Sequence, residues 1–217
     1  MSVNIQVENH FITPIVVANF SAMEPLNQQL SQLFLSYENK PEQYKNKNKF
    51  NTNIGKLFDS PFNLFDSNEP AIKQIKKIFE DSLRGWIQQS SGMDINKVMA
   101  MTLENHSWFH VTREGGQKTL HNHPNASWSM VYYVDGGDED LENRSGVIQF
   151  YDPRGSAGMY QDPANMHLKR EYNFNGVGYL PKAGMLLIFP SYLYHEVLPY
   201  RGKRPRINIA ANYWVKS

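Results

Sequence analysis

The sequence contains no cysteine. That absence removes disulfides, thiolate metal sites, iron–sulfur clusters and cysteine nucleophiles together, so any metal must be held by His, Asp or Glu. Long apolar runs are also missing, which argues against a membrane-spanning helix. The first ten residues, MSVNIQVENH, carry neither a basic start nor an apolar stretch of the secretory type. Charge of one sign is scarce too. Twenty-two Lys and Arg stand against 21 Asp and Glu, leaving a net charge of +1. No clear patch for duplex nucleic acid or an anionic membrane follows from that balance.

What is present suits a packed domain. The chain has 217 residues, 41% of them hydrophobic, with 12 Phe, 12 Tyr and 4 Trp. This is enough for one core and too apolar for a disordered chain. A single domain over 1–217 is expected, with a helical support region over 1–97 that includes an early strand, and a β-rich core over 98–217. Residues 11–18 read as a short strand, and Pro14 places it at an edge. From Met23 to Tyr37, Leu26, Leu30, Leu33 and Phe34 recur at helical spacing. The stretch 39–63 is rich in Asn, Lys and Pro and reads as a long exposed connection. A second helix is better marked. Ser67 or Asn68 can cap it, Pro70 suits its first turn, and Ile72, Ile75, Ile78, Phe79 and Leu83 form its apolar face, ending at Ser91-Gly92.

Beyond Lys97 come short alternating or apolar runs at 98–103, 106–112, 118–123, 127–134, 146–151, 185–190 and 206–214, separated by turn residues. Such spacing predicts a sandwich or barrel with helices on one outer face. The irregular stretch 152–178 is long for a compact domain, and loops of that length are commonly functional.

Six of the seven histidines lie between 106 and 195. The sharpest local signal is His121-Asn122-His123-Pro124. In an extended segment two residues apart share a face, so the two imidazoles converge. An isolated H-x-H pair is equally consistent with two surface histidines. A second half of the constellation follows downstream. Pro181-Lys182-Ala183-Gly184 precedes the apolar run Met185–Pro190, then Ser191-Tyr192-Leu193-Tyr194-His195-Glu196-Val197, and Arg206 opens the last run. Three neutral imidazoles can hold an iron or zinc ion and leave positions open. A basic group on the next strand can fork onto a carboxylate. His106 and His110 read as surface or hydrogen-bonded histidines, His167 as a loop histidine facing solvent, and Trp128, Tyr132 and Phe150 as core or barrel wall.

From Gly115 to Trp214 these elements resemble, in order, those of the Fe(II)/2-oxoglutarate-dependent oxygenases. The elements are H-x-H-P, Ser-Met-Val-Tyr-Tyr-Val at 129–134, Gly-Val-Ile-Gln-Phe-Tyr-Asp-Pro-Arg at 146–154, Pro-x-x-Gly, His-Glu-Val-x-Pro and Arg-x-Asn. The chain is most similar to uncharacterised bacterial and tailed-phage members and more distantly to prolyl hydroxylases. The resemblance implies an α+β, mainly β fold: a double-stranded β-helix (jelly-roll, cupin-like) core with N-terminal helices packed outside. It implies Fe(II) as metal and 2-oxoglutarate as cosubstrate, with His121, His123 and His195 as metal ligands. Arg206 takes the place of the arginine that holds the far carboxylate of 2-oxoglutarate, Tyr133 that of a tyrosine on the same carboxylate, and Asn208 that of a Ser in an Arg-x-Ser pair.

One departure is plain. The family's second ligand is ordinarily a carboxylate in His-x-Asp/Glu, and this chain has His123. Asp152 is the alternative second ligand, and Arg204 the alternative anchor. The implied reaction is hydroxylation of a substrate C–H bond with release of succinate and carbon dioxide. The other readings are a cupin-like three-histidine metalloprotein that uses no 2-oxoglutarate, and a non-catalytic β-barrel binding module. Protein side chain, nucleobase and small molecule all stay open as substrate. No membrane partner is expected, a cytoplasmic location is (that of the host if the source is viral), and oligomeric state is unknown.

Overall fold

A computed structural model of the chain describes residues 3–48, 52–138, 140, 142–155, 162–174 and 176–216. Strand β1 (Val16–Asn19) leads into helix α1 (Glu24–Glu38) and the single turn α2 (Pro41–Tyr44). Two short strands follow, β2 (Asn53–Ile54) and β3 (Leu57–Asp59), then the long helix α3 (Pro70–Ser91) and α4 (Ile95–Ala100). The remaining strands are β4 (Thr102–Thr112), β5 (Gln117–His121), β6 (Trp128–Asp135), β7 (Ile148–Phe150), β8 (Val177–Tyr179), β9 (Met185–Pro190), β10 (His195–Val197) and β11 (Arg206–Lys216).

These strands form two antiparallel sheets. The larger has the order β1-β9-β6-β11-β4-β3 and the smaller β2-β5-β10-β7-β8. β4 and β11 pair along all of their length, from Arg206 opposite Thr112 to Lys216 opposite Thr102. The period-2 alternation of β11 assigns its two faces. Ile207, Ile209, Ala211 and Tyr213 pack with the helices in one core, and Arg206 and Asn208 point into the space between the sheets. A second core of Tyr133, Ile148, Phe150, Met185, Leu187, Phe189 and Leu193 joins the facing sheets.

The helices cover the outer face of the larger sheet. Ile72, Ile75, Phe79 and Leu83 on α3 are fully buried, each side chain contributing about 1.5–3 kcal/mol relative to exposure. Phe34 of α1 stacks on Phe109 of β4 with ring centroids 4.1 Å apart, and Tyr132 of β6 donates to Asn27 Oδ1 at 2.8 Å. α3 starts with Pro in its first turn, as expected, but its N-cap is Glu69 with no side-chain cap bond. Ser67 instead accepts from the Glu69 amide. Gly92 closes the helix at φ 67°, a left-handed conformation that glycine adopts without a Cβ penalty.

Three expectations need correction. The stretch 39–63 is not one exposed connection, because β2 joins the smaller sheet and β3 the larger. Residues 98–100 belong to α4, whose first turn is capped by the Asp94 side chain, and not to a strand. The long run 152–178 holds β8, an edge strand, besides two 3-10 turns at Asn165–His167 and Arg170–Tyr172. Among the described residues, the first 97 thus supply three strands as well as outer helices. No helix among the described residues is long and apolar enough to cross a membrane.

Candidate metal and cosubstrate site

β5 ends on His121 and β10 begins on His195, and the two are cross-strand partners. Their ring centroids are 4.3 Å apart. His123 follows two residues on, where its amide donates to the Ser191 carbonyl at 2.8 Å. Its ring lies 5.1 Å from that of His121 and 5.3 Å from that of His195. One ring nitrogen of each residue falls within 4.8 Å of the others. Bonds of about 2.0–2.2 Å to one ion would set such nitrogens about 3–4 Å apart, so a small rotation of the rings closes the set.

The donor chemistry fits a divalent ion. His121 Nδ1 lies 2.7 Å from the Thr119 carbonyl and His195 Nδ1 lies 2.9 Å from the Leu193 carbonyl. A carbonyl only accepts, so both Nδ1 atoms carry the proton and both Nε2 atoms keep a free lone pair. Burial pushes the His121 pKa down to about 4 and that of His123 down to about 3. Buried His195 is held well below its ordinary value for the same reason. All three are therefore neutral near pH 7, the state that metal ligation requires.

Arg206 stands in the same cavity, between the sheets, at 2% exposure. Its Nη1 donates to Asn208 Oδ1 at 2.9 Å, and its guanidinium carbon sits 5.0 Å from the centre of the Tyr133 ring. The arginine stem is packed against Gly146, where an added Cβ would come within 3.1 Å of Arg206 Cδ. Among the described residues, three buried polar atoms on side chains lining this cavity make no hydrogen bond: Arg206 Nε, the Tyr133 hydroxyl and Thr112 Oγ1. A guanidinium stays charged in proteins, and a desolvated cation with spare donors calls for an anion. A carboxylate beside Arg206 and Tyr133 meets that need, so these residues fit the far end of 2-oxoglutarate.

Asn208 continues the polar chain. Its amide nitrogen is 3.2 Å from His110 Nδ1, and His110 Nε2 is 3.2 Å from Asp59 Oδ1. Asp59 is also bound by Asn53 at 2.9 Å. His110 is thus a buried, hydrogen-bonded histidine. His106 is exposed and packs against Trp214 and Phe62, and His167 lies exposed in a 3-10 turn. Tyr132 and Phe150 are core side chains, and Trp128 packs against the helical core.

All six residues singled out from the sequence, His121, His123, His195, Arg206, Tyr133 and Asn208, line one cavity. The two alternatives do not. Asp152 is ion-paired to Arg154 at 2.6 Å and borders a separate groove. Arg204 is largely exposed and pairs with Asp135 at 2.7 Å. Sequence reasoning missed Lys118 and Asp59. Lys118 lines the cavity, although plain alternation from His121 would turn it outward. A bulge between the pairs His195–His121 and Val197–Lys118 re-aims it. A groove of about 890 Å³ flanks the histidines, bordered by Phe150, Tyr151, Asp152, Arg154, Tyr172 and Leu193. The Phe150 ring is 5.7 Å from that of His195.

Antiparallel sheets, three neutral imidazoles and a buried arginine thus come together around one cavity. Residues 106–212 match the model of the family described as "Putative 2OG-Fe(II) oxygenase", and this region of the chain, which holds all six residues, belongs to that family. The chain is accordingly an oxidoreductase of the 2-oxoglutarate-dependent class, with Fe(II) and 2-oxoglutarate as its cofactors. A search of curated protein sequences finds no match. Among solved structures, a Pseudomonas putida prolyl-4-hydroxylase is similar in fold at TM-score 0.63 and 16% identity, over 94% of this chain and 93% of that one. A Trichoplax adhaerens prolyl hydroxylase, solved with a hypoxia inducible factor peptide fragment, matches at TM-score 0.60 and 15% identity over 92% and 83%. HygX from Streptomyces hygroscopicus, with nickel, 2-oxoglutarate and hygromycin B bound, matches at 0.57 and 11% over 93% and 82%.

Proposed function

We propose that this chain is an Fe(II)- and 2-oxoglutarate-dependent hydroxylase whose two sheets form a double-stranded β-helix. Residues 98–217 are its catalytic core, and 1–97 support it from outside. In this reading His121, His123 and His195 hold the iron. Arg206 and Tyr133 hold the far carboxylate of 2-oxoglutarate, and Asn208 orients Arg206 through its bond to Nη1. Iron and cosubstrate supply the activation of dioxygen, at the cost of 2-oxoglutarate going to succinate and carbon dioxide. The protein's part is to bind, to orient and to keep water out. The apolar residues Ile148, Phe189 and Val197 on the cavity wall serve that last purpose.

The observation that carries the reading is the pairing of three imidazoles with a buried, incompletely bonded guanidinium in one cavity. A cosubstrate-free three-histidine site has no use for that guanidinium. We assign the flanking groove to the substrate, because it adjoins His195 through Phe150 and Leu193. Its tyrosines and its Asp152–Arg154 pair suit either a peptide side chain or a polar small molecule. The test is anaerobic addition of Fe(II) and 2-oxoglutarate. A weak visible charge-transfer band and, on admitting oxygen, succinate formation are expected, and both are lost in His195→Ala. Absence of the band together with absence of 2-oxoglutarate binding overturns the proposal.

A further inference from the structure

Arg206 stands at the end of a row of buried polar side chains that reaches well beyond Asn208. The row crosses four adjacent strands of the larger sheet. Asp59 on β3 is the cross-strand partner of His110 on β4, His110 is that of Asn208 on β11, and Asn208 is that of Tyr133 on β6. Asp59, His110, Asn208 and Arg206 are each no more than 5% exposed. β3 is a three-residue strand at the sheet's edge, and Asp59 is the last of its residues.

Donors and acceptors give the row a direction. A guanidinium only donates, so Asn208 turns its oxygen to Arg206 Nη1, 2.9 Å away. Its amide nitrogen then donates across 3.2 Å to His110 Nδ1, which must carry a lone pair. Burial holds His110 below its ordinary pKa, so the ring is neutral near pH 7 and its one proton sits on Nε2. Two groups compete for that nitrogen. Asp59 Oδ1 lies 3.2 Å away, accepts, and has no other hydrogen-bond partner among the described residues. Trp108 Nε1 lies 3.0 Å away and only donates. A proton on Nδ1 would satisfy Trp108, but it would reverse the Asn208 amide, turn its NH2 against Arg206 and leave Asp59 Oδ1 without a donor. A proton on Nε2 forgoes the indole bond and keeps two bonds to charged groups. Such bonds are roughly twice as strong as neutral ones, so the Nε2 tautomer wins.

We propose that Asp59 and His110 are positioning residues for the cosubstrate anchor: Asp59 holds the His110 proton on Nε2, and His110 thereby keeps the Asn208 oxygen on Arg206. Both act through the aim of the guanidinium and not on the carboxylate itself. The role rests on the functional reading above, whereas the tautomer can be read without any ligand. Removing the Asp59 acceptor hands Nε2 to the Trp108 donor and moves the proton to Nδ1. The Asn208 amide turns over, and Arg206 loses its fixed bond. A 2-oxo acid with a distal carboxylate then binds more weakly, and one without it is unaffected.

Two measurements on the full chain test this. Nitrogen NMR of the metal-free protein near neutral pH reads the tautomer, with His110→Gln identifying the signals. The parent is expected to show the His110 lone pair at Nδ1, and Asp59→Leu to show it at Nε2. Calorimetry on the Ni(II)-loaded protein, which binds without turnover, reads affinity for 2-oxoglutarate and for 2-oxobutanoate, which lacks the distal carboxylate. Asp59→Leu is expected to weaken 2-oxoglutarate by about tenfold, the scale of one hydrogen bond to a charged group, and to leave 2-oxobutanoate unchanged. Asp59→Asn keeps an acceptor for Nε2, and Asn53 Oδ1, unpartnered among the described residues, can take the new amide. That variant recovers 2-oxoglutarate affinity to within about threefold of the parent. In an Arg206→Met background Asp59→Leu has no further effect. A parent lone pair at Nε2, or a ring protonated on both nitrogens, overturns the proposal by itself, even where Asp59→Leu fails to fold. So does parent-like 2-oxoglutarate affinity in Asp59→Leu, an equal loss for both acids, a loss that persists with Arg206→Met, or no recovery in Asp59→Asn. A nickel-loaded parent that binds neither acid sinks the functional reading, and is told apart because the tautomer is read without ligand.

Discussion

His121 and His195 face each other across two antiparallel strands, and each ring is fixed in the same way, by a bond from Nδ1 to the carbonyl two residues earlier. The backbone of each strand thus chooses the tautomer of its own histidine. Both Nε2 lone pairs are presented before any ion arrives. Replacing either residue by Ala removes a ligand outright, and the effect should exceed the roughly 10–100-fold loss typical of a merely supporting group. Equilibrium dialysis with Fe(II) or Co(II) should show a fall of more than about 100-fold for His121→Ala and for His195→Ala. A smaller fall in both would remove these residues from the metal.

His123 is the position at which this chain departs from the family's ordinary carboxylate. Its ring lies at similar distances from the other two, which is the geometry of a third ligand. His123→Asp should therefore keep the metal and bind it at least as tightly, because a carboxylate adds a negative charge to the set. His123→Ala removes a ligand too, and should cost more than the roughly 10–100-fold of a merely supporting group. Metal titration of the pair decides the matter. Equal affinity in the parent and in His123→Ala would show that the ring is a bystander.

Arg206 and Arg204 provide a matched comparison two residues apart. One is buried with a bond to Asn208, and the other is exposed and paired with Asp135. Loss of a buried, charge-assisted anchor costs about 2–3 kcal/mol, on the order of 30–150-fold in affinity. Arg206→Met should raise the 2-oxoglutarate KM by that factor with metal affinity unchanged. Arg204→Met breaks a surface pair of small value and should leave KM within about twofold. The reverse ranking in a steady-state assay would transfer the anchor to Arg204.

Both helices that cover the larger sheet were legible because Leu26, Leu30 and Phe34, and then Ile72, Ile75, Phe79 and Leu83, repeat at 3.6 residues over several turns. The strand carrying Arg206 was legible because Ile207 and Ile209 alternate with Arg206 and Asn208, and the one carrying Tyr133 because it is a mostly apolar run; β5 was marked by its histidine and not by alternation. β2 and β3, of two and three residues, are too short to express a period. Asp59 was invisible for that reason, and also because its partner His110 is about fifty positions away in the chain. Lys118 was hidden differently. A one-residue bulge inverts the face of everything beyond it, and no residue type near 118–121 announces one. The rejected alternatives, Asp152 and Arg204, were chemically credible until each was seen tied to an ion-pair partner, Arg154 and Asp135.

The three imidazoles also make the metal-free protein sensitive to acid. Burial lowers His121 to about 4 and His123 to about 3, and depresses His195 as well. In the unfolded chain each titrates near 6.5. Below that pH the unfolded state binds more protons than the folded one, so stability falls as pH falls. The loss begins near pH 6.5 and continues to about pH 4 for His121 and about pH 3 for His123. Each histidine contributes at most about 1.4 kcal/mol per pH unit within its window. Above pH 7 these groups are neutral in both states and add no slope. Thermal unfolding of metal-free protein should show a midpoint that is level from about pH 7 to 8 and drops steeply between pH 6 and 4. His123→Gln should make that drop shallower, because one of the three titrating groups is gone. A midpoint that is flat from pH 7 to 5 would mean that the imidazoles are hydrated and not buried, and the preformed lone pairs at the metal site would go with them.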